Sequence, residues 1–290
     1  MFVRCIRMRA SPSSTALSVT DLLLDKPAAR DVRPLITGAS GVPVPVVDIA
    51  AEGLSKAFGG TPIFSQVSFR LGRGESTALV GANGAGKSTL LRCVMGLTPV
   101  NQGRIQLLGL DATAAKAADL RTLRSRIGLV SQKHNNVPRL SVLSNVLHGL
   151  LGKHPGLRHW THSLAPQGAR DAAMAALDKV GLADFALRRA DRLSGGQSQR
   201  VAIARALVGG PEILFADEPC ASLDPAAGED VMELFFNLAR QNGVTVVFTS
   251  HNIEHALRYG DRVLALAKGR LHLDATAASL GANDLRGLYD

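Results

Sequence analysis

Nine residues, Gly81-Ala82-Asn83-Gly84-Ala85-Gly86-Lys87-Ser88-Thr89, constrain this chain more than any other stretch. They fit the phosphate-binding pattern G-x-x-x-x-G-K-[ST], with Gly81, Gly86, Lys87 and Ser88 in the fixed places. Glycine lets the backbone turn through positive φ and approach a ligand closely. The loop's N–H groups then point inward at phosphate oxygens. Lys87 supplies a point charge for β- and γ-phosphates, and Ser88 a hydroxyl for Mg²⁺. The spacing predicts a helix from Lys87 to about Met95, whose positive end faces the same phosphates. Thr77-Ala78-Leu79-Val80 before the loop reads as a short buried strand. Strand, glycine loop and helix in that order imply an α/β fold around a bound nucleotide.

Further apolar strands repeat the arrangement. Ile127–Val130 delivers Gln132, Ile213–Ala216 delivers Asp217 and Glu218, and Val244–Thr249 delivers Ser250 and His251. Ligands of parallel α/β sheets bind at the carboxyl edge, so these residues are expected to converge on the nucleotide. Asp217 follows a buried strand, where a P-loop protein holds Mg²⁺, and Glu218 is placed to orient or deprotonate water. Taken singly, each acid reads as a surface charge at a strand end.

The other segments frame this core. Ile49–Leu54, Val67–Leu71 and Arg104–Leu108 read as strands, with Phe58 between the first two. Leu140–Leu151 and Gly168–Val180 carry apolar residues at helical spacing, so about 134–205 is expected to be a helical insertion. Val263–Ala267 and Arg270–Asp274 form a closing hairpin across Lys268-Gly269. Residues 1–46 are rich in Ser, Pro and scattered Arg without periodicity and are expected to be a disordered extension, with Gly41–Pro45 as a linker.

Charge and cysteine content narrow the function. The net charge is +9, and ten Lys or Arg face two acids between Asn101 and Arg170. That block holds one aromatic residue, Trp160, too few to stack bases, so nucleic acid is not an expected partner. His148, His154, His159 and His162 lack a ligand spacing. No run of 18 or more apolar residues exists, and three scattered cysteines fit a reducing compartment.

Leu193-Ser194-Gly195-Gly196-Gln197 opens another helix, a second anion site made of backbone N–H groups, a hydroxyl and a dipole. One phosphate cradle and one extra phosphate site per chain suggest a site shared by two chains. With LSGGQ in place, the sequence resembles the ATP-binding cassette (ABC) ATPases. Gly81–Thr89 matches their Walker A loop, ILFADEP their Walker B, Gln132 the Q-loop, Ser222-Leu223-Asp224 the D-loop and His251 the H-loop. Phe58 matches the aromatic that stacks on adenine. The resemblance covers about 47–290 and implies a P-loop core with an antiparallel β subdomain and a helical subdomain. It also implies an ATPase homodimer that sandwiches two ATP with Mg²⁺. Ser88, Gln132 and Asp217 would be the metal ligands. Ser194, Gly195, Gly196, Gln197 and Asp224 would reach the partner's nucleotide, and Glu218 and His251 would be catalytic.

A finer resemblance, carried by RLSVLSNVLHGLLGKHPGLRHW, ADEPCASLDP and EHALRYGDRVLAL, is to the ATPases of phosphonate importers. It implies separate transmembrane permease subunits, a periplasmic or extracellular binding protein, and a peripheral position on the cytoplasmic face of the inner membrane. Ser198 and Ser250 depart from that group's usual Gln and Leu. A related oxyanion importer, an ABC importer ATPase for another small solute, or a soluble ABC ATPase acting on nucleic acid or ribosomes are the alternatives.

Overall fold

The computed structural model describes residues 46–286 apart from 134 and 155, with the backbone of two short strands before them, β1 (Ile36–Thr37) and β2 (Pro43–Val44). The expected disordered extension over 1–46 otherwise lies outside the described residues. Within Gly41–Pro45, Pro43 and Val44 pair with Thr37 and Ile36 as an antiparallel ladder, so the linker reading does not hold there.

Two sheets build the core. The antiparallel one has the order β4-β3-β6-β7, with β3 Val47–Phe58, β4 Thr61–Gly72, β6 Gln102–Leu107 and β7 Leu110–Asp111. Both β3 and β4 are longer than the sequence pattern suggests. Phe58 therefore lies on β3, paired with Thr61, and not between strands. Gly59 and Gly60 close the hairpin with φ of 54° and 84°, the left-handed pair that two-residue hairpin loops require.

The second sheet has the order β12-β11-β5-β10-β9-β8. Its strands are β5 (Ser76–Val80), β8 (Ile127–Ser131), β9 (Ile213–Asp217), β10 (Thr245–Thr249), β11 (Arg262–Ala267) and β12 (Arg270–Thr276). All neighbours are parallel except β11 and β12, the expected closing hairpin. The apolar runs follow from burial on both faces. Side chains alternate along each strand. Ala78, Leu214, Phe248 and Val263 enter one core, while Leu79, Phe215, Val247 and Leu264 enter the other.

The second of these cores also takes the antiparallel sheet and the loop helix α1 (Lys87–Val94), through Phe69, Leu71, Leu90, Leu91 and Val94. The helix ends one residue before the expected Met95, and Gly96 turns the chain at φ 65°. After β7, Ala117–Arg124 is a helix, α2, where the sequence offered only a lead-in to β8.

The other core is roofed by helices. These are α3 (Val142–Leu147), α4 (Gln167–Lys179), α5 (Gly195–Leu207) and α6 (Pro225–Gln241). Ser141 caps α3 by accepting from Ser144 N, and the helix passes at His148–Leu150 into a tighter turn, so the expected single helix to Leu151 is two pieces. Gly181, with φ 70°, ends α4 as the pattern predicts. α3, α4 and most of α5 lie within about 134–205, the range assigned to a helical subdomain by resemblance. The chain closes with α7 (Ile253–Tyr259) and α8 (Ala282–Arg286).

Gly149 shows how tightly the insertion is packed. A Cβ there would lie 2.0 Å from the carbonyl oxygen of Arg205 and 2.6 Å from Val208 Cγ1. Gly149→Ala is expected to destabilise the fold by about 1–3 kcal/mol through overpacking. Gly168→Ala, with nothing near its Cβ, should be neutral or slightly stabilising. Urea unfolding of the two variants checks both.

Candidate active site

The parallel register sets the tips of the central strands level. Asp217 pairs with Ser131 on one side and Thr249 on the other, and Thr249 pairs with Leu79, one residue before the strand end at Val80. Polar groups just past these positions share one edge of the sheet.

The loop at Gly81–Gly86 has three left-handed glycines, with φ of 147° at Gly81, 80° at Gly84 and 101° at Gly86. Gly81 also has no room for a side chain, since a Cβ would sit 2.1 Å from the carbonyl oxygen of Leu266 on β11. The first-turn N–H groups of α1 have no partner within the helix and face the loop's hollow. Lys87 is buried and folds back, donating to the carbonyls of Gly81 at 2.8 Å and Ala82 at 3.1 Å. Burial lowers its pKa, and the nearby charges of Glu218 and Asp217 oppose that shift.

Asp217 is the hub. Its Oδ1 accepts from Ser88 Oγ at 2.9 Å and from Thr249 Oγ1 at 2.8 Å. Thr249 Oγ1 in turn accepts from Glu218 N–H at 2.8 Å. Glu218 holds φ at 47°, a strained value for a side chain with a Cβ. Its Oε2 receives Gln132 Nε2 at 3.3 Å and lies 4.0 Å from His251 Nδ1. His251 is exposed at a turn braced by Ser250, whose Oγ accepts from Asn252 N–H and donates to Asn252 O. Asn252 then caps α7 by accepting from Glu254 N–H at 2.8 Å. The structure thus brings together Ser88, Gln132, Asp217, Glu218 and His251 as expected. The roles of Thr249 and Asn252 escaped the sequence reading, which noted Ser250 only as the residue before His251. Their signal was position, at or just past a strand tip beside Asp217.

The remaining expected residues lie elsewhere. Ser194 caps α5 in a reciprocal box, with Gln197 N donating to Ser194 Oγ at 3.3 Å and Ser194 N to Gln197 Oε1 at 3.1 Å. Ser194 and Gly195 are exposed. Gly195 stands against Leu223 and Gly196 near Ala227, so this turn borders the D-loop segment. Among the described residues, no hydrogen bond or ion pair joins Ser194–Gln197 to the phosphate loop. Asp224 caps α6 through Ala227 N–H at 3.0 Å. Phe58 is half exposed with Lys56 Nζ 4.6 Å from its ring centroid. It stands outside the open cavity of about 450 Å³ beside the loop, which Ile63, Phe64, Asn83, Ala85 and Lys268 help to line. A second cavity of about 550 Å³ is lined by Glu218, Cys220, Asp224, His251 and His255 among others.

A family described as ABC transporter matches residues 64–221. The chain belongs to the ABC transporter family. It is similar to the phosphonates import ATP-binding protein of Stutzerimonas stutzeri, 46% identical, over 83% of this chain and 89% of that protein. The phosphate-import ATP-binding protein of Mycolicibacterium smegmatis is 45% identical over 84% of this chain and 92% of that protein. Among solved structures, a dimeric ATP-binding cassette in a post-hydrolysis state with ADP and phosphate aligns with TM-score 0.69 and 31% identity. That alignment covers 79% of this chain and 98% of that one. The α/β core, ATP hydrolysis and family expected from LSGGQ and the glycine loop are therefore correct.

In this ABC ATPase, Thr249 holds both acids at once. Thr249→Val removes a donor from Asp217 and leaves the Glu218 N–H without its acceptor. Turnover should fall about tenfold, the scale of a hydrogen bond to a charged group, with circular dichroism unchanged. Thr249→Ser should retain most activity in the same phosphate-release assay.

Proposed function

We propose that the chain is the ATP-hydrolysing subunit of an importer for phosphonates or a related phosphorus oxyanion. It works as a homodimer, peripheral on the cytoplasmic face of the inner membrane. Separate permease subunits and a periplasmic or extracellular binding protein complete the system. The observation that carries the catalytic part is the set of hydroxyls and acids on one sheet edge, with a phosphate-type helix terminus exposed elsewhere on the same chain. The importer part is supported by relatives named for phosphonate and phosphate import that this chain covers over about nine-tenths of their length. No helix among the described residues is long and apolar enough to cross a membrane, which fits a subunit that docks on others.

The roles proposed for the site residues are as follows. Ala82, Asn83, Gly84, Ala85 and Thr89 complete the loop whose backbone surrounds the phosphates, with Gly81 and Gly86 shaping it. Lys87 exchanges the carbonyls of Gly81 and Ala82 for phosphate oxygens. Phe58 offers the ring face opposite Lys56 to adenine. Ser88, Gln132 and Asp217 fit Mg²⁺, because they present a hydroxyl, an amide carbonyl and a carboxylate, all hard oxygen donors. Gln132 uses its amide N–H on Glu218 and keeps its carbonyl oxygen for the cation. Bound there, the ion would neutralise charge on the phosphates. Glu218 takes the proton of the attacking water, and Gln132 and His251 beside Oε2 fix its carboxylate. Ser194, Gly195, Gly196 and Gln197 present N–H groups to the γ-phosphate held by the partner, with Asp224 at the same junction.

Glu218→Gln should bind MgATP and accumulate a closed dimer while turnover falls about 10²–10⁴-fold. Lys87→Ala should fail at nucleotide binding, and Ser194→Arg at dimerisation. Mixing those two variants leaves one intact composite site per heterodimer and should restore activity. A Ser194→Arg monomer hydrolysing ATP at the normal rate would sink the shared site.

For the transported solute, the complete transporter with its binding protein should show ATPase stimulation by a phosphonate, phosphite or phosphate ester. Stimulation by an amino acid or metal ion alone would reject the oxyanion assignment.

A further inference from the structure

The segment after Gln132 reaches the helix that Ser194 opens. Asn135 turns at φ 51° and donates from Nδ2 to Ser131 Oγ at 2.7 Å, tying the turn to the tip of β8. Asn136 then bridges to α5. Its Nδ2 lies 2.9 Å from both the carbonyl oxygen and Oγ of Ser198. Arg205, two turns further along, donates to Asn135 O at 2.8 Å and to Asn136 Oδ1 at 3.2 Å. Those partners fix which end of the Asn136 amide is which. Ser198 N–H in turn donates to Ser194 O at 2.9 Å, closing the first turn of α5.

A short chain of contacts therefore runs from the acid at the hydrolysis site to the phosphate-facing turn. Glu218 receives Gln132, Asn135 ties back to Ser131 beside it, Asn136 grips Ser198, and Ser198 holds Ser194. The grip uses the serine that replaces the family's usual glutamine at position 198. A short hydroxyl leaves room for the Asn136 amide to reach the helix backbone. With Arg205 held against the same turn, α5 cannot slide or rotate relative to Asn135–Asn136 without breaking four hydrogen bonds.

We infer that Asn136 and Ser198 form a latch that fixes the signature turn against the segment after β8, so that Ser194–Gln197 are held in place for the partner's phosphate. The inference rests on the shared-site reading above. Asn136 and Ser198 are positioning residues. Neither is needed to hold nucleotide on its own chain.

The test uses full-length variants, with nucleotide affinity, thermal unfolding and steady-state kinetics measured on each. ATP-dependent dimerisation is followed by light scattering in a Glu218→Gln background. Asn136→Ala removes the latch. Asn136→Asp keeps an acceptor for Arg205 but sets a carboxylate against the Ser198 carbonyl. Both should lower kcat about three- to tenfold, the scale of one hydrogen bond, and weaken dimerisation, with monomer ATP affinity and KM within about twofold of the parent. Ser198→Thr should restore what Ser198→Ala loses, and Asn136→Ala with Ser198→Ala should be no worse than Asn136→Ala alone. Unchanged kcat in Asn136→Ala, multiplicative losses in the double variant, or an equal fall in ATP affinity would each overturn the latch. Ser194→Arg is the control for the underlying reading. If it dimerises and hydrolyses like the parent, the shared site fails and the latch with it. If it is dead while Asn136→Ala is normal, only the latch fails.

Discussion

Asp217 is the constraint on which the rest of the site depends. A carboxylate at the tip of a central parallel strand loses much of its water, so it needs donors from its neighbours. Ser88 and Thr249 supply them from either side. Ser88 can do so only because α1 starts immediately after the loop, and Thr249 only because β10 runs in register with β9. One oxygen of Asp217 thus joins the phosphate loop, the acid-bearing strand and the strand leading to His251. A one-residue slip of β10 would turn Thr249 to the other face and separate all three.

Close backbone approach is the second organising feature. Gly81 lies on the carbonyl of Leu266, which fixes the phosphate loop against β11. Gly128 on β8 would place a Cβ 2.6 Å from the carbonyl of Ala206, so α5 rests directly on the strand that delivers Gln132. Gly149 performs the same service from the other side of α5, at Arg205. The helix that presents Ser194 is therefore held between the sheet and the insertion by glycines whose role is space rather than φ. Among the described residues, its exposed end makes no hydrogen bond or ion pair to the phosphate loop of its own chain.

The site was more legible in the sequence than the fold around it. Glycine spacing, Lys87, Ser88 and the acids after Ala216 carry their chemistry in residue type, and each of four apolar runs is a strand within a residue or two. Helices fared worse. The α6 segment has a capping Asp224 followed by Pro225, a recognisable start, and buries Val231, Met232, Phe235, Phe236 and Ala239 at helical spacing, with Phe236 against Phe248 and Tyr259. The β3–β4 hairpin was undercut because Lys56 and Ser55 interrupt its apolar alternation. Lys56 is nonetheless buried, with its ammonium on the carbonyl of Pro99 at 2.7 Å. Thr249 was invisible for a different reason. A threonine inside a strand fits β-propensity without further explanation, and only the register places it against Asp217.

The position of Lys87 connects these points to function. A buried ammonium needs acceptors, and here two are carbonyls of its own loop while Asp217 and Glu218 add attraction at longer range. The loop is thereby held open in its binding shape by the same cation that will meet the phosphates. Binding exchanges one set of acceptors for a more highly charged one, so little reorganisation of the loop is required. In the proposed binding mode the charge of the phosphates lies between Lys87 and the first turn of α1, and among the described residues no hydrogen bond or ion pair joins the first turn of α5 to the phosphate loop. Completing the anion's shell calls for a second helix terminus, and the exposed Ser194 and Gly195 of another copy have the required chemistry. Under the proposed shared site, dependence on a partner chain follows from how one chain distributes its phosphate-binding groups.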